Sequence, residues 1–257
     1  MTVQQQPRSS TLVRIGSHVP DRVRHLVPIS LRRRWAPAPP DPQVVTDEFH
    51  RLFYSHARRT WQATSFMGVP VWKNPMDLWV YQELLFDLRP DLIIESGTSF
   101  GGSALFFASM CDLLGVGRVV SIDIERRPGD TPPTHPRITY LLGSSTSDEI
   151  VAQVRSMAKG ATTLVVLDSD HSRDHVLREL ELYGPLVTEG SYLIVEDTNV
   201  NGHPVTPSFG PGPMEAVEAF LPTTDEFEVD ATREKFYFSF NPGGFLRRTT
   251  PSRSSGY

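Results

Sequence analysis

Two acidic pairs, Asp168-Ser169-Asp170 and Glu196-Asp197, each follow a short apolar run, 163–167 and 192–195 respectively. Apolar residues without polar alternation read as strands buried on both faces, which occur in parallel sheets covered by helices. Nothing else in the chain restricts its fold as tightly. Acids at the carboxyl ends of neighbouring parallel strands converge on one crevice, where open α/β sheets take their ligands. Three or four carboxylate oxygens meeting there suit a hard cation such as Mg²⁺.

The order of elements agrees. Helical spacing covers 46–59 and 75–88. Asn74 serves the second as a cap, Pro75 fits its first turn, and Asp77 lies at its positive end. Strands at 92–96, 118–123, 138–142, 162–167 and 192–195 then alternate with helices at 102–114, 148–158, 173–186 and 214–220. This alternation predicts an α/β fold, a mostly parallel sheet with helices on both faces. Segments 236–240 and 244–248 flank Asn241-Pro242-Gly243, which predicts an antiparallel C-terminal hairpin. The expected organisation is a basic, proline-rich arm and linker over 1–43, a helical region over 44–90, the core over 91–250 and a tail over 251–257.

The net charge of −5 hides an asymmetry: residues 1–40 carry seven arginines against Asp21, so the remainder is strongly acidic. Transit peptides and nucleic-acid arms share that composition. Interleaved Ser, Pro and Val give no amphipathic face, so the segment reads as a tail or as a packing arm in a homo-oligomer, not as a nucleic-acid binder. No apolar stretch approaches the roughly 20 residues of a membrane span. A single cysteine, Cys111, rules out an internal disulfide and fits a cytoplasmic protein. It sits in an apolar helix and reads as packing.

The first βα turn, Glu95-Ser96-Gly97-Thr98-Ser99-Phe100-Gly101-Gly102-Ser103, is glycine-rich without matching the dinucleotide or Walker patterns. Glu95, just before the turn, would repel a pyrophosphate and attract a cationic amino-acid group. Asp123 ends the next strand and suits the two hydroxyls of a ribose; Ser145, after the third, is placed for a base. A ribose acid with no phosphate cradle favours S-adenosylmethionine over a dinucleotide.

Residues from about 44 to 248 resemble the rhamnosyl O-methyltransferases, within the wider cephalosporin-hydroxylase-like group. The resemblance rests on Val166-Leu167-Asp168-Ser169-Asp170-His171-Ser172, on the run from Val195 to Val205, on Phe209-Gly210-Pro211-Gly212-Pro213 and on the stretch from Met67 to Glu83. It implies a class I S-adenosylmethionine methyltransferase of Rossmann-like fold, with metal acids at Asp168, Glu196 and Asp197. Cofactor positions fall on Glu95, Gly97, Asp123 and Ser145, with Thr98, Gly101, Ser103 and Asp168 beside them. The implied acceptor is a hydroxyl of a rhamnose-type deoxysugar, either nucleotide-activated or already in a glycoside. Asn199, Asn201 and Trp72 are expected at the substrate. Asp170 is the first candidate base, then His171 and His203; Lys73 is a candidate anchor for the cofactor carboxylate.

Simpler readings compete. Asp168 and Asp170 resemble loop caps, Glu196-Asp197 a solvated turn, and Asn199, Asn201 and His203 turn chemistry. Two acidic pairs at consecutive strand ends make coincidence a weaker explanation than a site. His175, four residues after His171, lacks the Glu of the zinc arrangement and reads as packing. Two further functions stand beside sugar methylation: a tailoring methyltransferase or hydroxylase partner acting on a non-sugar scaffold, and a non-catalytic nucleotide-binding subunit.

Overall fold

A computed structural model describes residues 39–126 and 131–250. Expectations placed on the leader before residue 39 and on the tail lie outside the described residues. From Pro42 onward the described residues form one compact unit.

Helix α1 (Pro42–Ser55) begins four residues earlier than the spacing predicts and stops sooner. Two short strands, β1 (Ser65–Phe66) and β2 (Val69–Pro70), pair antiparallel ahead of α2 (Pro75–Leu88). The side chain of Asn74 accepts from the Met76 amide at 3.1 Å, as a cap should. Asp77 lies in the first turn, as expected, and is also buried, accepting from the Phe240 amide at 2.9 Å and tying the C-terminal segment to α2.

The core then alternates as expected: β3 (Leu92–Ser96), α3 (Gly102–Leu114), β4 (Arg118–Asp123), β5 (Ile138–Leu142), α4 (Asp148–Ala158), β6 (Thr163–Leu167), α5 (Arg173–Tyr183), β7 (Tyr192–Val195) and α6 (Pro213–Phe220). Strands β8 (Phe227–Val229) and β9 (Phe245–Arg248) complete a seven-stranded sheet ordered β5-β4-β3-β6-β7-β9-β8. The first five pair in parallel; β9 runs antiparallel to both β7 and β8.

Period-two alternation sorts the strands between two cores. Ile93, Val119, Leu164 and Ile194 face α2 and α3, while Leu92, Val120, Val165 and Leu193 face α4, α5 and α6. Because both faces are covered, all residues of β3, β6 and β7 are buried. Cys111 is buried in the α3 layer, as its apolar surroundings predict.

The closing strand pair forms, but not where the sequence places it. Residues 236–240 are not a strand; β9 pairs with β8 across a long connection. The alternating aromatics of 236–240 serve packing instead. Phe238 and Phe240 contact Phe53 and His50 on α1, and this anchoring leaves the segment no partner strand.

Candidate active site

The strand order reverses at β3, between β4 and β6, so the loops leaving these strands diverge and open a crevice. A cleft of about 880 Å³ lies there. It is lined by Gly97, Thr98 and Ser103 after β3, Asp123 at the end of β4, Ser145 after β5, Asp168, Asp170 and His171 after β6, and Asp197 after β7.

In the β3 half, Gly97 has φ +92° and a Cβ there would stand 1.8 Å from the Asp168 carbonyl oxygen. Only glycine lets the two loops cross this closely. Asp123 Oδ2 accepts from the Ser99 amide at 2.8 Å, pinning the turn. Glu95 is fully buried beneath the cleft, and Ser121 Oγ donates to its Oε2 at 2.8 Å while Oε1 has no hydrogen-bond partner. Burial pushes its pKa up to about 7 against the pull of Lys73. An orphaned buried carboxylate oxygen below the turn fits a cationic group arriving from above. Gly101 lies off the cleft; its φ of +81° starts α3, and Pro133 fills the space where a Cβ would go. Ser145 bonds through Oγ to His175 Nε2 at 3.2 Å, and its carbonyl accepts from Tyr183 Oη at 2.6 Å. His175 lines the cleft wall, with Nε2 3.5 Å from the fully buried Glu179.

In the β6–β7 half, seven groups close a ring of polar contacts. Lys73 Nζ donates to Asp168 Oδ2 at 2.5 Å and to Glu196 Oε1 at 2.6 Å. Tyr81 Oη donates to the same Glu196 oxygen at 2.8 Å and accepts from Asn241 Nδ2 at 2.9 Å. Asn241 Oδ1 accepts from the Asp197 amide at 3.1 Å. His171 then bridges back, Nδ1 lying 3.4 Å from Asp197 Oδ2 and Nε2 3.2 Å from Asp168 Oδ1. Ligand atoms of Asp168, His171 and Asp197 lie within 4.8 Å of one another, close enough to share one ion. The two carboxylates supply hard oxygens that fit a divalent cation, with the imidazole against both of them.

Electrostatics follow from crowding. Burial raises Lys73's neutral form, but Asp168, Glu196 and Glu95 outweigh it and keep the ammonium charged. Burial lifts Asp168 as well, yet Lys73 and His171 hold it below the usual carboxylate range. Glu196 goes up to about 8 through burial and the neighbouring Asp168 charge. At His171 burial opposes the charged ring, and Asp197 and Asp168 still raise it to about 9.

The expected site residues fall in different surroundings. Glu196 directs Oε1 inward to Lys73 and Tyr81, and His171 takes the third corner beside Asp168 and Asp197. Asp170 lines the cleft at an exposed position, and its Oδ1 accepts from the Ser172 amide at 2.7 Å, capping a turn. Asn199 is fully buried against His50, with Nδ2 2.8 Å from His50 Nε2. Asn201 and His203 both bond Glu215 Oε1, at 2.8 and 3.1 Å, and brace the loop ahead of α6 rather than lining the cleft. Trp72 does line it, in ring contact with Trp61 and Phe100. Lys73 serves the acids. Tyr81, Asn241 and His50 have nothing local to mark them as site residues in the sequence: each has a partner more than a hundred residues away.

Comparison with known proteins bears on the family and the fold. The family described as Rhamnosyl O-methyltransferase/CmcI matches residues 58–249. A Rhamnosyl O-methyltransferase of Mycobacterium leprae (strain TN) is 42% identical over 209 residues, 79% of this chain and 90% of that protein. Its counterpart in Mycobacterium tuberculosis (strain ATCC 25618 / H37Rv) is 40% identical over 211 residues, covering 80% of this chain and 85% of that one. Among solved structures, cmcI-D160 with Mg and SAM superposes with a TM-score of 0.58 at 22% identity, over 97% of this chain and 89% of that one. The MycE methyltransferase of mycinamycin biosynthesis, in complex with Mg, SAH and mycinamycin VI, gives 0.50 at 18% identity, over 80% and 57%. At such identities the structures speak for the fold.

Proposed function

This chain belongs to the rhamnosyl O-methyltransferase/CmcI family, and from that premise we propose that it methylates a hydroxyl of a rhamnose-type sugar with S-adenosylmethionine and a divalent cation. The observation that carries this reading is the convergence of Asp168, His171 and Asp197 at the cleft, beside a glycine turn that has a buried acid beneath it.

Asp123 holds the ribose and Ser145 the adenine, while Glu95, under the Gly97 turn, provides negative potential for the amino group. Asp168 and Asp197 hold the cation, with Glu196 anchored behind them by Lys73 and Tyr81. A bound divalent ion supplies positive charge that orients and acidifies a sugar hydroxyl. His171 is the better base than Asp170, because its imidazole stands between the two acids whereas Asp170 is spent on a turn. The two carboxylates keep the ring protonated while they pair with it. A cation held by the two acids would relieve that pairing and leave the imidazole free to take the hydroxyl proton. Methyl transfer then needs the hydroxyl oxygen in line with the sulfonium methyl, an arrangement that lowers barriers by roughly 7–11 kcal/mol.

The acceptor is a finished glycoside rather than a nucleotide-activated sugar. Among the described residues lining the cleft, Lys73 is the only Lys or Arg, and it is committed to Asp168 and Glu196. A diphosphate would meet Asp123, Glu125, Asp168, Asp170 and Asp197, and among the described residues no guanidinium lines the cleft to receive it. Tyr54, Trp61, Trp72 and Phe100 offer an aromatic wall for the apolar face of a pyranose or its aglycone.

Mass spectrometry of the enzyme with S-adenosylmethionine, Mg²⁺ and a panel of glycoside-bound and nucleotide-linked rhamnoses tests this. The expected product is a glycoside heavier by one methylene, absent when a chelator is added. Turnover of the nucleotide-linked sugars alone overturns the acceptor assignment; chelator-resistant turnover overturns the metal; methylation of a sugar-free scaffold replaces the substrate class.

A further inference from the structure

Helix α1 precedes the residues matched by the family; Tyr54 at its end lines the cleft, and behind the cleft one unusual side chain is buried. Of its 14 residues only His50 is buried, to 3% exposure. A helix that merely docks does so through aliphatic or aromatic residues, since a buried imidazole gives up water and needs a partner in exchange. His50 has an aromatic cage for its faces, Phe238 edge-on at 4.7 Å and Phe240 stacked at 5.6 Å. Its Nε2 meets Asn199 Nδ2 at 2.8 Å. The amide donates, so the ring accepts and is neutral; burial, which holds its pKa down to about 4, agrees.

Asn199 is two residues from Asp197 and is the pivot of the loop that follows it. Its own amide donates to the Phe240 carbonyl at 3.2 Å, and its carbonyl accepts from the Val205 amide at 3.1 Å. Asp197 leaves β7 with φ +54°, a conformation an aspartate holds only when its surroundings fix it. The adjacent Arg51 Nε donates to the Pro204 carbonyl at 3.2 Å. One turn of α1 therefore grips the loop near both ends.

We propose that His50 is a positioning residue for the 197–205 loop, holding Asn199 so that Asp197 presents its carboxylate to the cation and the sugar. Its kinetic consequence rests on the methyltransferase reading above; its structural consequence does not. The side chain does not line the cleft and acts through Asn199.

The test compares His50→Leu, His50→Gln and Asn199→Ala in the full chain by amide hydrogen exchange, Mn²⁺ binding and kinetics. Glutamine can present an acceptor near the position of Nε2, whereas leucine keeps the volume and removes the bond. In His50→Leu and Asn199→Ala we expect exchange at the Gly202 and Val205 amides to quicken by about tenfold, the scale of one lost hydrogen bond, with β3 unchanged. Mn²⁺ affinity and kcat should fall by a similar factor while S-adenosylmethionine affinity holds, and His50→Gln should recover most of each. Unchanged exchange in His50→Leu overturns the assignment. So does His50→Gln behaving as badly as His50→Leu, because volume and not hydrogen bonding would then be at stake. If exchange and Mn²⁺ binding respond while even the wild type leaves every rhamnoside unmodified, the positioning role stands and the substrate reading fails.

Discussion

At the residue scale, the site divides into groups that can meet a substrate and groups that hold them. Asp170 and His171 are neighbours in sequence with opposite circumstances: one caps a turn in solvent, the other bridges two carboxylates across the cleft. Asp170→Asn should keep kcat within about threefold, since an amide oxygen can still accept from Ser172. His171→Gln should lower it by about 10²–10⁴-fold, the usual contribution of a general base. Single-turnover rates under saturating cofactor would separate the two, and equal losses would reject the assignment. The acids themselves were legible, because a carboxylate directly after a buried strand has few places to point. Their counter-ion was not. Lys73 precedes a helix in Trp72-Lys73-Asn74-Pro75 with no periodicity to mark it, and only the fold brings it to Asp168 and Glu196. Glu196 likewise looked equivalent to Asp197, but on opposite sides of a strand end one side chain turns under the sheet and the other toward the cleft.

At the element scale, strands and helices were legible wherever burial alone decides them. The five parallel strands and their covering helices follow from apolar runs and period-two sorting. The C-terminal segment was misplaced because alternating aromatics satisfy a strand pattern equally well when they pack into a helix, here α1. Turns set the tolerances between elements. Gly97→Ala places a methyl inside the van der Waals radius of the Asp168 carbonyl and strains a positive φ. The strain alone costs about 1–3 kcal/mol, so the urea midpoint should drop and S-adenosylmethionine binding should vanish in calorimetry; a binding-competent variant would show that the two loops can separate. Helix α1 carries its own pH signature. The folded His50 has its pKa near 4 against an ordinary 6.5, so the unfolded chain takes up the proton first as pH falls. Stability is therefore fully present above 6.5 and declines until the folded ring protonates near 4, by about 3 kcal/mol. The advantage of wild type over His50→Gln in urea melts should shrink by that amount from pH 7 to pH 4, and a constant difference would contradict a neutral buried ring.

At the scale of the whole molecule, the sheet concentrates negative charge at one end and gives it a single resident ammonium. Glu95, Asp168 and Glu196 all act on Lys73, and Asp197 stands across the ring from it. Removing one partner of a buried ion pair leaves the others uncompensated and typically costs about 3–5 kcal/mol, so Lys73→Met should unfold at markedly lower urea concentration. The same substitution makes the cluster more negative toward any cation that enters it. A ligand that binds only the folded state stabilises by RT ln(1 + [L]/Kd), about 2.7 kcal/mol at a hundredfold excess over Kd. Mg²⁺ should therefore raise the melting temperature of the wild type, and raise that of Lys73→Met by more, because the ion then supplies both its own binding energy and the charge the lysine no longer provides. Asp197→Asn should abolish the Mg²⁺-induced rise, since it removes a ligand oxygen's charge and leaves Lys73 in place. Melting curves at matched ionic strength, with Ca²⁺ and Na⁺ controls for screening, decide the matter. A smaller Mg²⁺ shift in Lys73→Met than in the wild type would mean that the ammonium builds the cation site instead of sharing its charge.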